Sequence, residues 1–222
     1  MVMVDVSVVM ISMNEEGAVE KVINDIKVAV PEAEILLVDS SKDKTAEIAE
    51  KNRAKVIKQF PPKGYGKAME LALKSASGEV IVTMDCDSTY PSKDIPKLVK
   101  LCRDGYDLVN TTRVLNKPKN MPFPNFLANR FFAFLAWLRH GIKTTDVHSG
   151  MRAYKRDLIH SLDWKADGPA FPVELLIRPI KHGYKYTEVP INYYERIGTT
   201  TLRKFSSTIW TFRRIFLQEY YD

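Results

Sequence analysis

Two aspartates separated by one residue, Asp85 and Asp87, follow an apolar run at residues 80–84. Such a run, rich in β-branched residues, is typical of a buried strand in a parallel sheet. Alternate residues leaving that strand can direct both carboxylates into the crevice at the carboxyl edge of the sheet, where ligands bind in open α/β folds. Carboxylate oxygens suit Mg²⁺ or Mn²⁺, which would neutralise a bound diphosphate. The pattern predicts a metal and diphosphate site, although the pair taken alone also fits a turn or a helix cap.

Two polar loops, residues 12–16 and 39–45, are predicted to reach the same edge of the sheet. In the first, Asn14 and Glu15 can hydrogen-bond a ribose or a base, and Asn14 can equally cap a helix. In the second, Asp39 can accept a hydrogen bond from a base N–H, while its polar neighbours also fit turn and capping positions.

A third loop, residues 63–67, has the sequence KGYGK. Its two glycines can let the backbone approach a ligand, and Lys63 and Lys67 add positive charge where a helix begins. Because its spacing differs from that of a P-loop, the loop is a weak indication when taken alone.

The hydrophobic period switches repeatedly between that of strands and that of helices. Strands are predicted at residues 6–13, 35–39, 55–58, 80–84 and 108–112, and helices at residues 16–28, 45–52, 67–76 and 95–102. This alternation predicts an α/β fold with a mainly parallel sheet flanked by helices. After residue 116 a Pro-rich stretch precedes an apolar helix predicted at residues 125–139.

The chain has 222 residues, of which 45% are hydrophobic, enough for one sizeable domain. We expect no membrane span and no leader sequence. Cys86 and Cys102 are expected to be reduced thiols in a cytoplasmic protein, with Cys86 a small buried spacer. The net charge of +6 fits an anionic lipid or a phosphorylated substrate, and no nucleic-acid-binding motif is recognisable.

Four segments occur in order along the chain: SMNEE, VDSSKDKT, KGYGKAMELALKSASGEVIVTMDCD and DVHSGMRAYKRD. Together they resemble the nucleotide-sugar-dependent glycosyltransferases of the GT-A fold, especially dolichyl-phosphate mannosyltransferases and their polyprenyl-phosphate relatives. The resemblance implies a single GT-A domain with a donor half at residues 1–115, an acceptor half at residues 116–202 and an amphipathic helix at residues 203–222. It also implies a metal-dependent, inverting transfer of a hexose, with mannose from GDP-mannose favoured, to a polyprenyl phosphate.

The resemblance also implies roles for individual residues of the donor half. Asn14 and Glu15 would lie in the family's first nucleotide loop and Asp39 in its base-binding loop. Lys63 and Lys67 would border the donor.

The family's Asp-x-Asp motif, which binds the donor diphosphate through Mg²⁺ or Mn²⁺, is matched by Asp85 and Asp87. Arg113, Arg130 and Arg196 match arginines that relatives keep near the acceptor phosphate, and Arg196 is also assigned to the donor. Arginine suits this task because its fork of donors binds phosphate oxygens bidentately and stays charged. Each of these arginines taken alone also fits a solvated surface charge.

The chain departs from the family pattern at two places. The tripeptide DSS at residues 39–41 stands where relatives have Asp-Asp-Gly-Ser, and TTL at residues 200–202 stands where they have Ser-Lys-Leu. Arg203 or Lys204 would have to replace the lysine of that second motif.

The acceptor decides whether a general base is required. A lipid phosphate already carries an anionic oxygen, so positioning and charge stabilisation suffice. A hydroxyl acceptor would need a carboxylate base, for which Asp146 is favoured over Glu174. Asp146 can instead brace its loop through Ser149 and Arg152, and Glu174 can pair with Arg178 one helical turn later.

Two apolar segments combine aromatic residues with arginines, a helix at residues 126–139 and the tail at residues 203–216. This composition is typical of interfacial helices and predicts peripheral contact with the inner face of a membrane. The same spacing also fits packing into a core or a dimer seam, so an oligomer stays open.

Two other functions stay open, a soluble transferase with a small phosphorylated or hydroxyl acceptor and a non-catalytic scaffold. The paired carboxylates and the arginines favour an enzyme over a scaffold. His148 fits a structural hydrogen-bonding role better than that of a base.

Overall fold

The structure is a computed structural model that describes residues 5–116, 121–199 and 204–220, without the side chains of residues 204 and 205. The strands are β1 (Val6–Ser12), β2 (Glu34–Asp39), β3 (Lys55–Lys58), β4 (Val80–Thr83), β5 (Leu108–Thr112), β6 (Arg152–Lys155) and β7 (Tyr186–Pro190). The α-helices are α1 (Val19–Ala29), α2 (Thr45–Lys51), α3 (Tyr65–Ser75), α4 (Ile95–Arg103), α5 (Phe123–His140), α6 (Arg156–Ser161), α7 (Phe171–Lys181) and α8 (Lys204–Phe216).

The seven strands form one mixed sheet in the order β3-β2-β1-β4-β6-β5-β7. Strand β6 runs antiparallel to its neighbours β4 and β5, while the other pairings are parallel. The parallel strands therefore end at one edge, and the loops that follow β1, β2, β4 and β5 meet there. The α/β fold with a mainly parallel sheet, predicted from the sequence, is confirmed.

Helices cover both faces of the sheet, which explains why the central strands are apolar almost throughout. In β1, Val8 and Met10 face a core layer shared with α1 and α4. Val9 faces the other layer, which is shared with α3, α5, α6 and α7. Because successive side chains of a strand point to opposite faces, a single buried strand contributes to both layers.

Most elements of the first half begin and end within two residues of the predicted bounds. The exception is α1, which begins at Val19 although the apolar period predicted a start at residue 16. The carbonyl of Glu15 accepts hydrogen bonds from the amides of Ala18 and Val19, both at 2.9 Å, and closes a turn before the helix. The polar stretch before α1 is therefore loop, free to take part in the site.

Of the elements that follow α5, β6, α6 and β7 had no sequence prediction. Helix α7 was implied only by the predicted pairing of Glu174 with Arg178, and α8 lies within the helix predicted at residues 203–222. Strands β6 and β7 join the same sheet as the first half, so the donor and acceptor halves share one core; the division between them stays a prediction. The departure at residues 200–202 and Arg203 lie outside the described residues. None of the helices within the described ranges is long and apolar enough to cross a membrane.

Candidate active site

Asp85 and Asp87 lie directly after β4, at the edge where the parallel strands end. The Asp87 carboxylate accepts hydrogen bonds from the amide and hydroxyl of Thr89, at 3.1 and 2.6 Å, and from Arg196 Nη1 at 2.7 Å. The Asp85 carboxylate packs on Gly150, where a Cβ would come within 2.9 Å of both its oxygens. No hydrogen bond reaches the Asp85 side chain from the residues that the structure describes.

Negative charge is crowded at this point. Burial and the charge of Asp87 raise the pKa of Asp85 to about 7. Burial also raises the pKa of Glu15 to about 7, although Arg196 opposes the shift, and Glu15 Oε2 has no hydrogen-bond partner among the described residues. Desolvated carboxylate oxygens short of positive charge are the donor set that a hard divalent cation prefers, so Asp85 and Asp87 fit such a cation.

A strap at residues 191–197, following β7, crosses the edge above these carboxylates. Its amides at residues 191, 194 and 197 donate to the carbonyls of Thr112, Thr89 and Asp87 at 3.0, 2.9 and 3.0 Å. The strap places Arg196 between Asp87 and Glu15, and the guanidinium donates to both carboxylates. Arg196 therefore lies beside the predicted metal site, and its charge partly offsets that of the two carboxylates.

Arg113 follows β5 and faces Asp146 in a two-point ion pair. Its Nε is 2.7 Å from Asp146 Oδ2 and its Nη2 is 3.0 Å from Oδ1. The guanidinium also lies over the ring of Tyr193, 5.4 Å from its centroid. Held at its edge by a carboxylate and on its face by an aromatic ring, Arg113 is fixed in one orientation.

Asp146 is completely buried. Burial would raise its pKa, but the charge and hydrogen bonds of Arg113 outweigh that effect and hold the pKa below the usual range. An ion-paired carboxylate with a low pKa is a poor proton acceptor, so these contacts favour a bracing role. Asp146 braces its loop through Arg113 and not through Ser149 or Arg152, the partners predicted from the sequence. Ser149 is hydrogen-bonded to Thr111, and Arg152 donates to the carbonyl of Val147.

Glu174 is not placed to act as a base, contrary to its candidacy in the sequence. It is fully buried in α7, where its Oε1 accepts from Arg178 Nε at 2.6 Å and its Oε2 from Arg214 Nη1 at 3.0 Å. Its predicted pairing with Arg178 is confirmed. Arg214 of the tail is likewise buried in this cluster and does not lie at a membrane-facing edge.

The first two loops are tied to each other. Asn14 Oδ1 accepts from the amide of Lys42 at 3.0 Å, so Asn14 braces the second loop and does not cap α1. Asp39 is buried, and its Oδ1 accepts from the hydroxyls of Ser12 and Ser41 at 2.6 and 2.5 Å. Asn14 and Asp39 thus shape a polar rim beside Glu15.

In the third loop, residues 63–67, Gly66 does not have the predicted role of letting the backbone approach a ligand. A Cβ at Gly66 would lie 2.1 Å from the carbonyl oxygen of Ala166, so this glycine lets α3 pack against another backbone and not against a ligand. Lys63 is exposed, and Lys67 is 3.4 Å from Glu70 of its own helix. Within the described residues, neither lysine makes an ion pair with Glu15, Asp85 or Asp87.

Arg130 lies on the exposed side of α5 and makes no described contact with the Arg113–Asp146 pair. It lines a cavity of about 200 Å³ between α5 and residues 142–145, together with Phe134, Trp137 and Lys143. The structure thus brings Glu15, Asp85, Asp87, Arg113, Asp146 and Arg196 into one group. Among the described residues, Lys63, Lys67 and Arg130 make no hydrogen bond or ion pair with that group.

Three residues of the site had no sequence prediction. Tyr90 accepts a hydrogen bond from the amide of Gly150 at 2.7 Å, and its ring meets that of Tyr193 edge-on at 5.9 Å. Tyr90 and Gly150 were visible as parts of the STYP and DVHSGMRAYKRD stretches, but Tyr193 reaches the site only through the fold. Cys86 is buried, as predicted.

The helices α5 and α8 divide their aromatic residues between a buried and an exposed side. Phe132 and Leu135 of α5 are buried, whereas Phe134 and Trp137 are 53% and 50% exposed. On α8, Phe212 is 39% exposed. One side of each helix therefore packs on the core, as one of the two interpretations predicted, and the other side forms an outer aromatic face; contact of that face with a membrane stays a prediction.

Comparison with known proteins agrees with this architecture. Residues 7–163 match glycosyl transferase family 2. A dolichyl-phosphate hexose transferase of Haloferax volcanii is 44% identical over 203 residues, which cover 91% of this chain and 88% of that protein. An undecaprenyl-phosphate mannosyltransferase of Micrococcus luteus is 26% identical over 196 residues, 82% of this chain and 81% of that protein.

A solved structure of glucosyl-3-phosphoglycerate synthase from Mycobacterium tuberculosis, in complex with Mn²⁺, UDP and phosphoglyceric acid, has the same fold. Its TM-score is 0.73 at 23% identity, and the match covers 97% of this chain and 80% of that one. The sheet and these matches define a glycosyltransferase of the GT-A fold. The chain belongs to glycosyltransferase family 2.

Proposed function

We propose that this glycosyltransferase moves a hexose from a nucleoside-diphosphate sugar to a polyprenyl phosphate. The observation that carries the proposal is the convergence of two carboxylates, Asp85 and Asp87, and two arginines, Arg113 and Arg196, at one edge of the sheet. Carboxylates suit a metal-bound diphosphate, and arginines suit phosphate oxygens. The relatives named for dolichyl-phosphate and undecaprenyl-phosphate transfer support the acceptor class.

The donor diphosphate is assigned to Asp85 and Asp87, which would hold Mg²⁺ or Mn²⁺. The described residues contain no group of three or more His, Cys, Asp or Glu side chains able to hold a metal alone. A cation on two carboxylates keeps coordination positions for phosphate oxygens, which is usual for metal–nucleotide sites. The bound metal would neutralise charge that develops on the leaving diphosphate. We take GDP-mannose as the first donor to test, on the resemblance to mannosyltransferases.

The acceptor phosphate is assigned to Arg113, with Arg130 at the approach from α5. Arg113 is held rigidly by Asp146 and Tyr193, which suits the alignment of an anionic oxygen with the anomeric carbon. Since that oxygen needs no deprotonation, the low pKa of Asp146 is compatible with catalysis. The reaction is then an in-line displacement with inversion of the anomeric configuration.

Contact with a membrane surface follows from the acceptor. The outer face of α5 and α8 exposes Phe131, Phe134, Trp137 and Phe212 beside Arg130. Aromatic rings flanked by arginines suit the headgroup region of an anionic bilayer. This face would bring the cavity beside Arg130 to the lipid surface where a polyprenyl phosphate resides.

The test is turnover of GDP-mannose and of UDP-glucose by purified protein, with Mn²⁺ or Mg²⁺, with and without a polyprenyl phosphate. We expect release of nucleoside diphosphate that depends on the lipid and is lost in Asp87→Asn. The exposed Asp25→Asn serves as the matched control and is expected to keep full activity. Absence of donor and metal binding by the wild-type protein would contradict the proposal and favour a scaffold.

A further inference from the structure

His148 joins three separate parts of the structure near the acceptor arginine. Its Nδ1 is 3.1 Å from Asn129 Oδ1 on α5, and its Nε2 is 2.9 Å from Thr211 Oγ1 on α8. Its backbone amide donates to Asp146 Oδ1 at 3.0 Å. One residue therefore contacts both outer helices and the carboxylate that holds Arg113.

The contacts of the imidazole leave it little freedom. Asn129 and Thr211 are both buried, and the ring of Phe132 meets the imidazole edge-on at 5.5 Å. Burial lowers the pKa of His148 to about 4, so the ring is neutral at physiological pH. A neutral imidazole has one donor and one acceptor nitrogen: Nδ1–H donates to Asn129 Oδ1, and Nε2 accepts from the Thr211 hydroxyl, whose alternative acceptor is the carbonyl of Ser207 at 2.8 Å. The ring thus fixes the loop at residues 144–150 relative to both helices.

Asp146 passes this constraint to Arg113. The two oxygens of Asp146 lie 3.0 and 2.7 Å from two nitrogens of Arg113, and the amide of Arg113 is a further 3.3 Å from Oδ2. A displacement of His148 would move Asp146, and a two-point ion pair transmits such a movement as a change in the direction of the guanidinium.

We propose that His148 is a positioning residue that holds Arg113 in place for the acceptor phosphate by anchoring the loop at residues 144–150 to α5 and α8. This inference rests on the proposed function, in which Arg113 binds the acceptor phosphate. It adds that the hydrogen bonds of the His148 ring to Asn129 and Thr211, and not the contact between the two outer helices as such, hold Arg113 in place.

His140 provides a matched control. It also joins α5 to α8, because its Nε2 is 2.7 Å from the carbonyl oxygen of Ile215 and its ring meets that of Tyr220 edge-on at 5.5 Å. Its described contacts do not include the loop that carries Asp146. Loss of His140 therefore disturbs the same helix pair without the link to Arg113.

The experiment compares His148→Gln, Thr211→Val and His140→Gln in the full chain. We expect His148→Gln and Thr211→Val to raise the KM for polyprenyl phosphate about tenfold and the KM for the donor by a smaller factor, since Gly150 of the same loop packs on Asp85. Thr211→Ser, which keeps the hydroxyl, should restore the wild-type value. His140→Gln should leave both constants at their wild-type values.

A second readout does not depend on turnover. The Arg113 Nε–H, which donates to Asp146, should exchange slowly with solvent in NMR spectra of the wild-type protein. We expect exchange about tenfold faster in His148→Gln and Thr211→Val but not in His140→Gln. Unchanged exchange in the first two variants, or an equal rise in donor and acceptor KM, would overturn the inference. Failure of the wild-type protein to use any polyprenyl phosphate would instead contradict the proposed function, and the exchange measurement would still decide the role of His148.

Discussion

Gly150 is required at its position because Asp85 occupies the space that a side chain would need. The carboxylate oxygens of Asp85 lie 2.9 Å from where a Cβ at Gly150 would be. The backbone amide of Gly150 is meanwhile fixed by Tyr90. Close approach of a carboxylate to the backbone is thus part of how the predicted metal site is built.

For Gly150→Ala we expect a displaced Asp85 carboxylate and a fall of about a hundredfold in kcat/KM for the donor, since small misplacements of binding groups have effects of this size. Gly17→Ala is the matched control, because its Cβ would lie 3.8 Å from the Ile197 side chain, an ordinary contact. Steady-state kinetics at saturating acceptor measure both. Wild-type kinetics in Gly150→Ala would contradict a role for Asp85 in donor binding.

Arg196 is expected to contribute to donor binding through its charge. Arg196→Gln removes the cation between Asp87 and Glu15 and leaves both carboxylates without it. We expect the KM for the donor to rise about tenfold to a hundredfold, the range for a lost charged hydrogen bond. Arg103→Gln breaks an exposed pair with Asp5 and should have no effect. If both variants bind donor equally well by calorimetry, Arg196 has no part in the donor site.

For single residues, the sequence predicted which side chains lie at the site better than it predicted which of them contact each other. The spacing of Asp85 and Asp87 was sufficient to place them after a strand at the ligand edge. The pairing of Arg113 with Asp146 joins residues 33 positions apart and depends on how β5 and the following loop pack. Such pairs have no local pattern, which is why Asp146 was considered as a base and its partner was not predicted.

Among the elements, α5 and α8 are unusual because large aromatic side chains stay exposed on both. Phe131 and Phe212 lie with ring centroids 6.3 Å apart, so the exposed sides of the two helices meet. A surface of this kind is typical of a binding face. The arginines beside it favour an anionic lipid surface.

Trp137→Ser should weaken binding to vesicles that contain phosphatidylglycerol about tenfold, since one large apolar side chain no longer enters the interface. Val28→Ser on α1 is the matched control, because Val28 is 85% exposed and α1 covers the other face of the sheet. Co-sedimentation measures the affinity. Equal loss of vesicle binding in both variants would argue against a specific face.

The parallel half of the sheet could be predicted because each of its strands is a short apolar run separated from the next by a helix-period segment. Strand β6 could not, because its four residues, RAYK, carry charge at both ends and it inserts antiparallel between β4 and β5. Helix α7 is buried along residues 171–179 and contains Pro179, a residue that in a sequence indicates the end of a helix. The secondary structure of the second half therefore depends on its contacts with the first half more than on a hydrophobic period of its own.

For the whole molecule, His148 contributes a pH dependence of stability with a definite sign. Its pKa is about 4 in the folded chain and near 6.5 when unfolded, so the unfolded state binds the proton first as pH falls. The contribution of His148 to the free energy of unfolding is fully present above about pH 6.5. It decreases as the pH falls towards 4, by at most about 3 kcal/mol in total. His140, whose pKa is also lowered, acts in the same direction.

The raised pKa values of Glu15 and Asp85 act in the opposite direction in the metal-free protein. The difference between wild type and His148→Gln therefore isolates the histidine. Urea unfolding with chelator from about pH 4.5 to about pH 7 should show that the free energies of unfolding converge as pH falls. A constant difference over this range would mean that His148 titrates normally in the folded chain.

Transfer of labelled mannose from GDP-mannose should be measured with three matched acceptors: a polyprenyl phosphate, the same polyprenol without its phosphate, and 3-phosphoglycerate. We expect product only with the polyprenyl phosphate, because the proposed role of the arginines is to bind the phosphate, whose anionic oxygen attacks without a base. Transfer to polyprenol, or to 3-phosphoglycerate in preference to the lipid, would contradict the assignment of Arg113 to a lipid phosphate.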